Sequence, residues 1–186
     1  KSTNQTVLIF CDWYRPGYKA GGPITSSVNL IENLGDQIQF KLVCGDRDYL
    51  SDQPYENTEF DTWVKVGKAE VMYLSPEKQT YQSLKSIVER ENPKMVYING
   101  IFSKNFSINP LRAATALNLR TIVAPRGMLA EGALGVKPLK KKLFLSIAKL
   151  LKLYRDVCFH VTFESEAGRV HEILGANAQT VLIPNL

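Results

Sequence analysis

The stretch that decides the fold is Val-Leu-Ile-Phe-Cys at residues 7–11, followed by the loop Asp-Trp-Tyr-Arg-Pro-Gly-Tyr-Lys-Ala-Gly-Gly at residues 12–22. The apolar residues are continuous and do not alternate with polar ones, which is typical of a strand buried on both faces. A helical pattern then begins at Pro23, and proline suits a first helical turn because its missing N–H is not needed there. The sequence therefore predicts a strand, a glycine-containing loop and a helix.

The same alternation continues along the chain. Further strand-like runs lie at residues 40–44, 70–74, 95–98, 121–124, 158–163 and 180–183. Helical patterns lie at residues 23–34, 77–91, 110–117, 138–154 and 166–174. Residues 46–62 lack periodicity and are predicted to form a long loop, followed by a hairpin of residues 63–67 and 70–74. This order predicts an α/β domain with a doubly wound, mostly parallel, Rossmann-like sheet.

Composition limits the classes of protein. The 186 residues, 45% of them apolar, suffice for a single domain with its own core. No apolar run approaches the roughly 18 to 20 residues that cross a bilayer, and no signal-peptide pattern is present, so we expect a cytoplasmic protein. Cys11, Cys44 and Cys158 lie far apart in or beside apolar runs, which predicts reduced core cysteines. The two histidines lack metal-ligand spacing, which predicts no metal site, and the net charge of +5 favours an anionic partner.

Ligands of open parallel sheets bind at the carboxyl ends of the strands, which here are followed by residues 12–22, 99–109, 125–135 and 164–166. In the first loop, Gly21 and Gly22 would let the backbone approach a phosphate at the start of the next helix. Arg15 and Lys19 add positive charge to the same loop. The alternative interpretation is that the two glycines only permit a tight turn.

Two other loops at this edge carry polar side chains. Asn99 and Ser103 follow the strand at residues 95–98, and Arg126 follows the strand at residues 121–124 in a loop with three glycines. A guanidinium at that position is suited to bidentate binding of a phosphate or carboxylate, or it forms a surface ion pair.

Two other classes of protein stay open. Gly17, Gly21 and Gly22 do not match the spacing G-x-G-x-x-G, yet Asp46 after the second strand resembles a ribose-binding acid, so a nicotinamide-dependent oxidoreductase is an alternative. A basic, non-enzymatic binding module is the other, although glycines clustered at strand ends argue against it. A cofactor titration and salt-sensitive oligonucleotide binding would distinguish them.

The helical pattern at residues 138–154 is basic and amphipathic. Its apolar residues are predicted to share one face: Leu139, Leu143, Ile147, Leu150 and Tyr154. The opposite face is predicted to carry Lys141, Lys142, Lys149 and Lys152, with Leu145 among them. The pattern is compatible with a solvated helix that covers the sheet and with a helix at a membrane surface. Nucleic-acid binding is disfavoured because aromatic residues do not interleave with the lysines.

Several motifs together resemble a known family. They are Tyr-Lys-Ala-Gly-Gly at 18–22, Val-Tyr-Ile-Asn-Gly at 96–100, Ala-Pro-Arg-Gly-Met-Leu at 124–129, Val-Thr-Phe-Glu at 161–164 and Leu-Ile-Pro-Asn at 182–185. In this order they resemble the N-terminal domain of the group-1 retaining glycosyltransferases of GT-B fold. The resemblance implies that residues 1–186 are the acceptor-side domain and that a second, nucleotide-binding domain follows outside this sequence.

The family implies transfer of a sugar from a nucleotide-sugar donor to a hydroxyl, with retention and without an obligatory metal or other cofactor. Acceptors would be polysaccharides, lipopolysaccharides or glycolipids. Gly21 and Gly22 would approach the donor diphosphate, and Arg126 would stand where many members carry a histidine; an arginine cannot act as a general base, so its role would be electrostatic. The acceptor side would be lined by Arg15, Lys19, Asn99 and Ser103. The lysine face would hold the enzyme at the anionic inner face of a membrane, near a lipid-linked glycan.

Overall fold

The structure is a computed structural model that describes residues 5–136 and 138–184. The strands are β1 (Thr6–Cys11), β2 (Gln39–Gly45), β3 (Trp63–Val66), β4 (Ala69–Leu74), β5 (Met95–Asn99), β6 (Thr121–Ala124), β7 (Val157–Val161) and β8 (Gln179–Leu182). The helices are α1 (Gly22–Leu34), α2 (Tyr81–Glu91), α3 (Asn109–Ala116), α4 (Glu131–Gly135), α5 (Pro138–Leu150) and α6 (Glu164–Leu174). A π-helical turn, Lys104–Ile108, leads directly into α3.

The strands form one sheet in the order β3-β4-β2-β1-β5-β6-β7-β8. All neighbours pair in parallel except β3, which pairs antiparallel with β4 as the predicted hairpin. Strand β1 lies between β2 and β5, so the connections leave it in opposite directions and open a crevice at its carboxyl end. The predicted doubly wound, mostly parallel α/β fold is confirmed.

Two hydrophobic cores cover the two faces of the sheet. Leu8 and Phe10 of β1 pack into a core with residues of α2, α3, α5 and α6, whereas Ile9 and Cys11 pack into a second core with α1. Successive residues of a strand point to opposite faces, so a strand in the middle of two cores must be apolar throughout. This explains the uninterrupted apolar run at residues 7–11.

Two helices are shorter than the sequence predicted. Helix α2 begins at Tyr81 because the Thr80 side chain accepts a bond from the backbone N–H of Ser83, 3.3 Å away, so Pro76–Lys78 is a separate 3-10 turn. Helix α5 ends at Leu150, before Lys152, whose φ of 53° is left-handed. Cys11 and Cys44 are buried as predicted, while Cys158 is only half-buried.

Helix α5 does not pack on the sheet through the apolar face that the sequence predicted for it. Leu145 and Ala148 are its buried residues, at 6% and 2% exposure, and Tyr154 is buried beyond the end of the helix. The predicted apolar face instead points outward, and Leu139 is 83% exposed. Lys141, predicted to lie on a surface face, turns toward the protein, where its Nζ donates to the carbonyl of Ala133 at 2.5 Å.

Lys141 is held inward by an aromatic contact as well. Its Nζ lies 5.2 Å from the ring centre of Phe102, and that ring packs edge-on against Phe144 at 5.8 Å. The aliphatic stem of Lys141 therefore belongs to the packed side of α5. Within the described residues, no helix is long and apolar enough to cross a membrane.

Candidate functional site

A cleft of about 630 Å³ opens at the carboxyl edge of the sheet, between the starts of α1 and α6. Its lining residues are Gly22, Pro23, Ser26, Arg126, Gly127, Ala130, Glu131, Thr162, Phe163, Ser165, Glu166 and Arg169. The cleft thus joins the loops that follow β1, β6 and β7, which are distant in sequence. Of the residues predicted from the sequence, Gly22 and Arg126 line it.

The start of α1 exposes backbone to this cleft. Gly21, at the N-cap, has a φ of 62° that favours glycine, no side chain caps the helix, and its first turn holds no acidic residue. A Cβ added at Gly21 or Gly22 would have no other heavy atom within 4 Å. The sequence predicted that the N–H groups of both Gly21 and Gly22 would approach an anion, but the N–H of Gly21 already donates to the carbonyl of Tyr18 at 3.1 Å. Pro23 has no N–H, and the N–H groups of Ile24 and Thr25 donate to the carbonyl of Gly21. In this turn Gly22 is therefore the residue whose N–H can meet an anion at the positive end of the helix dipole.

The glycine-containing loop is held from behind by Asp48. Its carboxylate accepts bonds from the backbone N–H groups of Tyr18, Lys19 and Tyr49 at 3.0, 3.1 and 2.7 Å. Burial by itself would raise the pKa of Asp48, but these three N–H groups and the Lys19 charge lower it below its usual value. The sequence did not predict this role of Asp48, because residues 46–62 show no pattern that links them to the first loop.

The lack of a side chain at Gly17 allows the loop to pass close to Asp48. A Cβ at this position would lie 2.4 Å from the Tyr55 hydroxyl and 3.0 Å from a carboxylate oxygen of Asp48. Glycine is therefore required by close approach, and the loop conformation depends on the long excursion after β2.

Arg126 is fixed by two side chains of β5. Its Nε donates to Oδ1 of Asn99 at 2.8 Å and its Nη2 donates to the hydroxyl of Tyr97 at 2.9 Å. The backbone at Arg126 is left-handed, with a φ of 53°. A left-handed non-glycine residue held by two side chains indicates that the guanidinium position is strongly constrained.

Asn99 connects this arginine to the start of α1. Its Nδ2 donates to the carbonyl of Pro23 at 2.9 Å and to the hydroxyl of Ser27 at 2.8 Å. With its oxygen bound to Arg126 and only 2% of its surface exposed, Asn99 lies beneath the cleft and does not line it. In the structure Asn99 therefore positions Arg126 and the start of α1, whereas the sequence predicted that it lines the acceptor side.

The network continues from Arg126 through β7 to the residue that follows β8. The Tyr97 hydroxyl lies 2.7 Å from Nδ1 of His160, and Nε2 of His160 lies 2.9 Å from the carbonyl of Ile183. The carbonyl can only accept, so Nε2 carries the proton, Nδ1 accepts from Tyr97, and Tyr97 in turn accepts from Arg126. Burial lowers the pKa of His160, the bond to Ile183 opposes that shift, and the Arg126 charge adds to it.

Glu166 joins the loops after β6 and β7. One oxygen accepts from the backbone N–H of Gly127 at 2.7 Å, and the other accepts from the backbone N–H and the hydroxyl of Thr162 at 2.9 and 3.2 Å. This carboxylate is 9% exposed, so its bonds form largely away from water. It fixes the turn that begins with Arg126.

The remaining predicted residues lie away from this cleft. Ser103 donates to Oδ1 of Asp12 at 2.6 Å and accepts from the N–H of Phe106, so it caps the π-helical turn. Burial raises the pKa of Asp12, and the bond from Ser103 partly offsets this. Arg15 reaches toward Glu32 on α1 at 3.8 Å, and Lys19 is exposed. The structure does not bring Arg15, Lys19 or Ser103 into the lining of the cleft with Gly22 and Arg126.

Phe163, which the sequence indicated only within the motif at residues 161–164, and Arg169, which no motif contains, complete the cleft wall. Phe163 is 68% exposed, although it is a large apolar residue beside the cleft. Arg169 donates to the carbonyl of Leu129 at 3.2 Å and pairs with Glu172 at 2.6 Å. The motif at residues 161–164 and the position of residues 164–166 after a strand had indicated this region, but not Arg169.

The geometry also bears on the alternative predictions. Both oxygens of Asp46 accept bonds from Arg47, at 2.8 and 3.0 Å, so this carboxylate is engaged by its neighbour and differs from a free ribose-binding acid. Among residues 5–136 and 138–184, no cluster of three His, Cys, Asp or Glu side chains suits a metal ion. The predicted independence from a metal stays a prediction.

Solved structures share this fold. A sucrose-phosphate synthase from Thermosynechococcus elongatus aligns with a TM-score of 0.62 and 13% identity over 97% of this chain and 48% of that protein. MurG from Acinetobacter baumannii aligns with a TM-score of 0.50 and 13% identity over 96% of this chain and 45% of that protein. The chain therefore spans about half the length of these structures, and at such identities the likeness shows the fold.

A weaker likeness concerns the Bordetella bronchiseptica enzyme WbmG in complex with NAD. Its TM-score is 0.40, with 15% identity over 67% of this chain and 38% of that protein, which is too low to support an argument. No protein-family model and no curated protein matches the chain.

Proposed function

We propose that this chain is the acceptor-side, N-terminal domain of a retaining GT-B glycosyltransferase of group 1. The observation that carries the proposal is the convergence of the family-like motifs at one cleft. Gly22, Arg126 and Phe163 come from three of those motifs and line the cleft, and Asn99 from a fourth lies beneath it. The shared fold with a sucrose-phosphate synthase, whose name denotes formation of a glycosidic bond, supports the same class of reaction.

The cleft is suited to the charge that develops in such a transfer. Gly22 at the start of α1 and Arg126 both line it, so a helix N-terminus and a cation lie at one volume. Of the two carboxylates in the same lining, Glu166 is bound to Gly127 and Thr162, and Glu131 lies 3.8 Å from Arg169. A nucleotide-sugar donor leaves as a nucleoside diphosphate, and pre-positioned N–H groups and a cation stabilise that leaving group. Asn99 and Tyr97 hold Arg126 in place before the reaction, which removes the need to reorganise it during transfer.

The finer parts of the proposal follow the resemblance. The donor would be held mainly by a second domain, no metal would be required, and the acceptor would be a hydroxyl of a polysaccharide, lipopolysaccharide or glycolipid. We place the reaction in the cytoplasm at the inner face of a membrane. Arg15, Lys19 and Ser103 lie on the same edge of the sheet outside the cleft, where a large acceptor would extend.

The test uses the complete protein with a panel of nucleotide sugars, and it measures acceptor-dependent release of nucleoside diphosphate. Arg126→Met should lower the turnover by about 100-fold, which is typical for the loss of one charge-stabilising donor. Arg120→Met replaces an exposed arginine at the opposite edge and should leave turnover unchanged. NMR of the product anomer tests retention.

The nicotinamide alternative makes the opposite prediction for the chain alone. Stoichiometric NAD binding by residues 1–186, together with no turnover of any sugar nucleotide by the complete protein, would overturn the proposal. Acceptor-dependent turnover without NAD binding would support it.

A further inference from the structure

His160 is a buried histidine that lies two hydrogen bonds away from Arg126, the cation of the cleft. It belongs to β7, it is 8% exposed, and its two ring nitrogens have different partners. Nδ1 lies 2.7 Å from the hydroxyl of Tyr97, and Nε2 lies 2.9 Å from the carbonyl of Ile183. Because a carbonyl only accepts, Ile183 fixes the neutral ring in the tautomer with its proton on Nε2. Nδ1 is then an acceptor that faces Tyr97.

This acceptor determines what the Tyr97 hydroxyl can do for Arg126. The hydroxyl has one proton, and while His160 is neutral that proton is donated to Nδ1. The oxygen of Tyr97 then accepts from Nη2 of Arg126 at 2.9 Å. The bond from Nε of Arg126 to Asn99, at 2.8 Å, does not depend on the histidine. His160 therefore controls the contact of the guanidinium with Tyr97 and not its contact with Asn99.

A second proton on the ring of His160 removes this arrangement. Nδ1 becomes a donor, so the Tyr97 oxygen meets two N–H groups and the Tyr97 proton loses its acceptor. Both donors then carry positive charge, and the imidazolium of His160 and the guanidinium of Arg126 face each other across a single hydroxyl. Tyr97 is 5% exposed, so water and salt screen this repulsion weakly. Protonation of His160 therefore weakens the bond between Tyr97 and Arg126.

The surroundings of His160 favour the neutral ring. Burial lowers its pKa, the charge of Arg126 lowers it further, and the charge of Glu166, whose oxygens accept from backbone N–H groups, raises it. Burial raises the pKa of Tyr97, so its hydroxyl keeps its proton. Of the other elements beside the ring, all fully described, β6 and β8 contain no charged residue and α1 contains one, Glu32, whose carboxylate lies 3.8 Å from an arginine of the first loop.

We propose that His160 is a positioning residue for the transfer, which holds Arg126 through Tyr97 while its ring is neutral and releases that hold when the ring is protonated. The inference rests on the proposed function, in which Arg126 stabilises the leaving diphosphate. Turnover should decline as the pH falls through the folded-state pKa of His160, which lies below the usual value of about 6.5. The decline should be about tenfold per pH unit, because the neutral fraction falls at that rate. It should go no lower than the turnover of Arg126→Met.

The first experiment measures kcat of the complete protein, as acceptor-dependent release of nucleoside diphosphate, from pH 8 down to the lowest pH at which circular dichroism shows the native fold. His160→Gln carries an amide that does not titrate but can accept from Tyr97 and donate to Ile183, so its kcat should lack the acid decline. Arg126→Met should lack the decline as well, because no guanidinium is left to position. His171→Gln changes a histidine of α6 outside the network and should keep the native decline.

The second experiment needs no sugar substrate. Heteronuclear NMR of the uniformly nitrogen-labelled chain follows the ring nitrogens of His160 and the Nε–H of Arg126 through the same pH range. We expect the ring proton on Nε2 at neutral pH, and an Arg126 signal that shifts as His160 titrates. The shift should be absent in His160→Gln and smaller in Tyr97→Phe, which lacks the connecting hydroxyl.

The two experiments separate this inference from the proposed function. Absence of transfer by the complete protein, together with an Arg126 signal that follows His160, would refute the glycosyltransferase and support the coupling. A ring proton on Nδ1 at neutral pH, or an Arg126 signal that does not change as His160 titrates, overturns the inference. It is also overturned if kcat stays constant through the titration of His160, if the acid decline is equal in the native protein and His160→Gln, or if it persists in Arg126→Met.

Discussion

The loops after β1 and β6 reach the same cleft but are held in opposite ways. In the first, Gly21 and Gly22 leave open space around the backbone, and the fixing contact is made from behind by Asp48. In the second, the side chain of Arg126 is the group presented, and Asn99 and Tyr97 bind it directly. The first loop can therefore offer a ligand the backbone N–H of Gly22, since that of Gly21 donates to Tyr18, whereas the second loop offers a side chain whose position depends on a hydrogen-bond network.

The largest effect is expected at the open loop. Gly22→Val adds a side chain that meets no protein atom within 4 Å of its Cβ, so the fold should survive, but the side chain would occupy the space of the diphosphate. We expect a loss of turnover of about 100-fold in the complete enzyme with little change in stability. Gly168→Val, at an open glycine within α6, is the control and should retain activity. Full activity of the Gly22 variant would remove this loop from the site.

The next effect concerns Glu166, which holds the turn that begins with Arg126, and it is measured as a change in stability. Glu166→Ala removes a buried carboxylate that accepts three bonds from Gly127 and Thr162. Buried N–H groups that lose a charged acceptor are costly, so we expect a decrease in the free energy of unfolding of about 2 to 4 kcal/mol. Urea denaturation measures it, and Glu172→Ala, at a 64% exposed side chain on the same helix, should cost under about 0.5 kcal/mol. Equal losses in both variants would contradict this account.

A smaller loss is expected for Tyr97→Phe, which removes only the hydroxyl between Arg126 and His160. The expected decrease in unfolding free energy is about 1 to 2 kcal/mol. The comparison variant is Tyr81→Phe, whose half-buried ring packs against Arg112 at 4.7 Å. If the two variants have the same stability, the Tyr97 hydroxyl does not connect the network.

The smallest effect is a pH dependence from His160. Burial lowers its folded-state pKa below the usual 6.5, so the unfolded chain takes up the proton first as the pH falls. Its contribution to stability is therefore complete above about pH 6.5 and declines below it. Between pH 7 and 5, the free energy of unfolding of His160→Gln, measured by urea denaturation, should change less with pH than that of the native chain. His171→Gln serves as the histidine control outside the network. If stability depends on pH in His160→Gln as it does in the native chain, His160 is not the source of the pH dependence.

Some features of the site could be predicted from neighbouring residues in the sequence, and others depend on residues that are far apart. The strand at 121–124 was predicted with its final bounds, because a short apolar run followed by Pro125 is a local signal. Asn99 was predicted at the correct edge of the sheet, but its burial depends on Pro23 and Ser27, which are far away in the sequence. His160 reaches Tyr97, and Glu166 joins Thr162 to Gly127, only because β7 lies beside β6 and α6 follows β7. The exit residues 182–184 are described, whereas Asn185 of the same predicted motif lies outside the described residues.

The sequence by itself determined the order of strands and helices, the parallel sheet, the hairpin of β3 and β4, and the edge at which the cleft lies. These follow from periodicity and turn chemistry, which act over a few neighbouring residues. Only the tertiary structure decided that Arg126 is held by Tyr97 and Asn99, that Asp48 fixes the glycine loop, and that α5 packs through Leu145. An amphipathic pattern gives a helix two distinct sides, but which side packs depends on the shape and chemistry of the surface it meets, and that surface is assembled from distant parts of the chain.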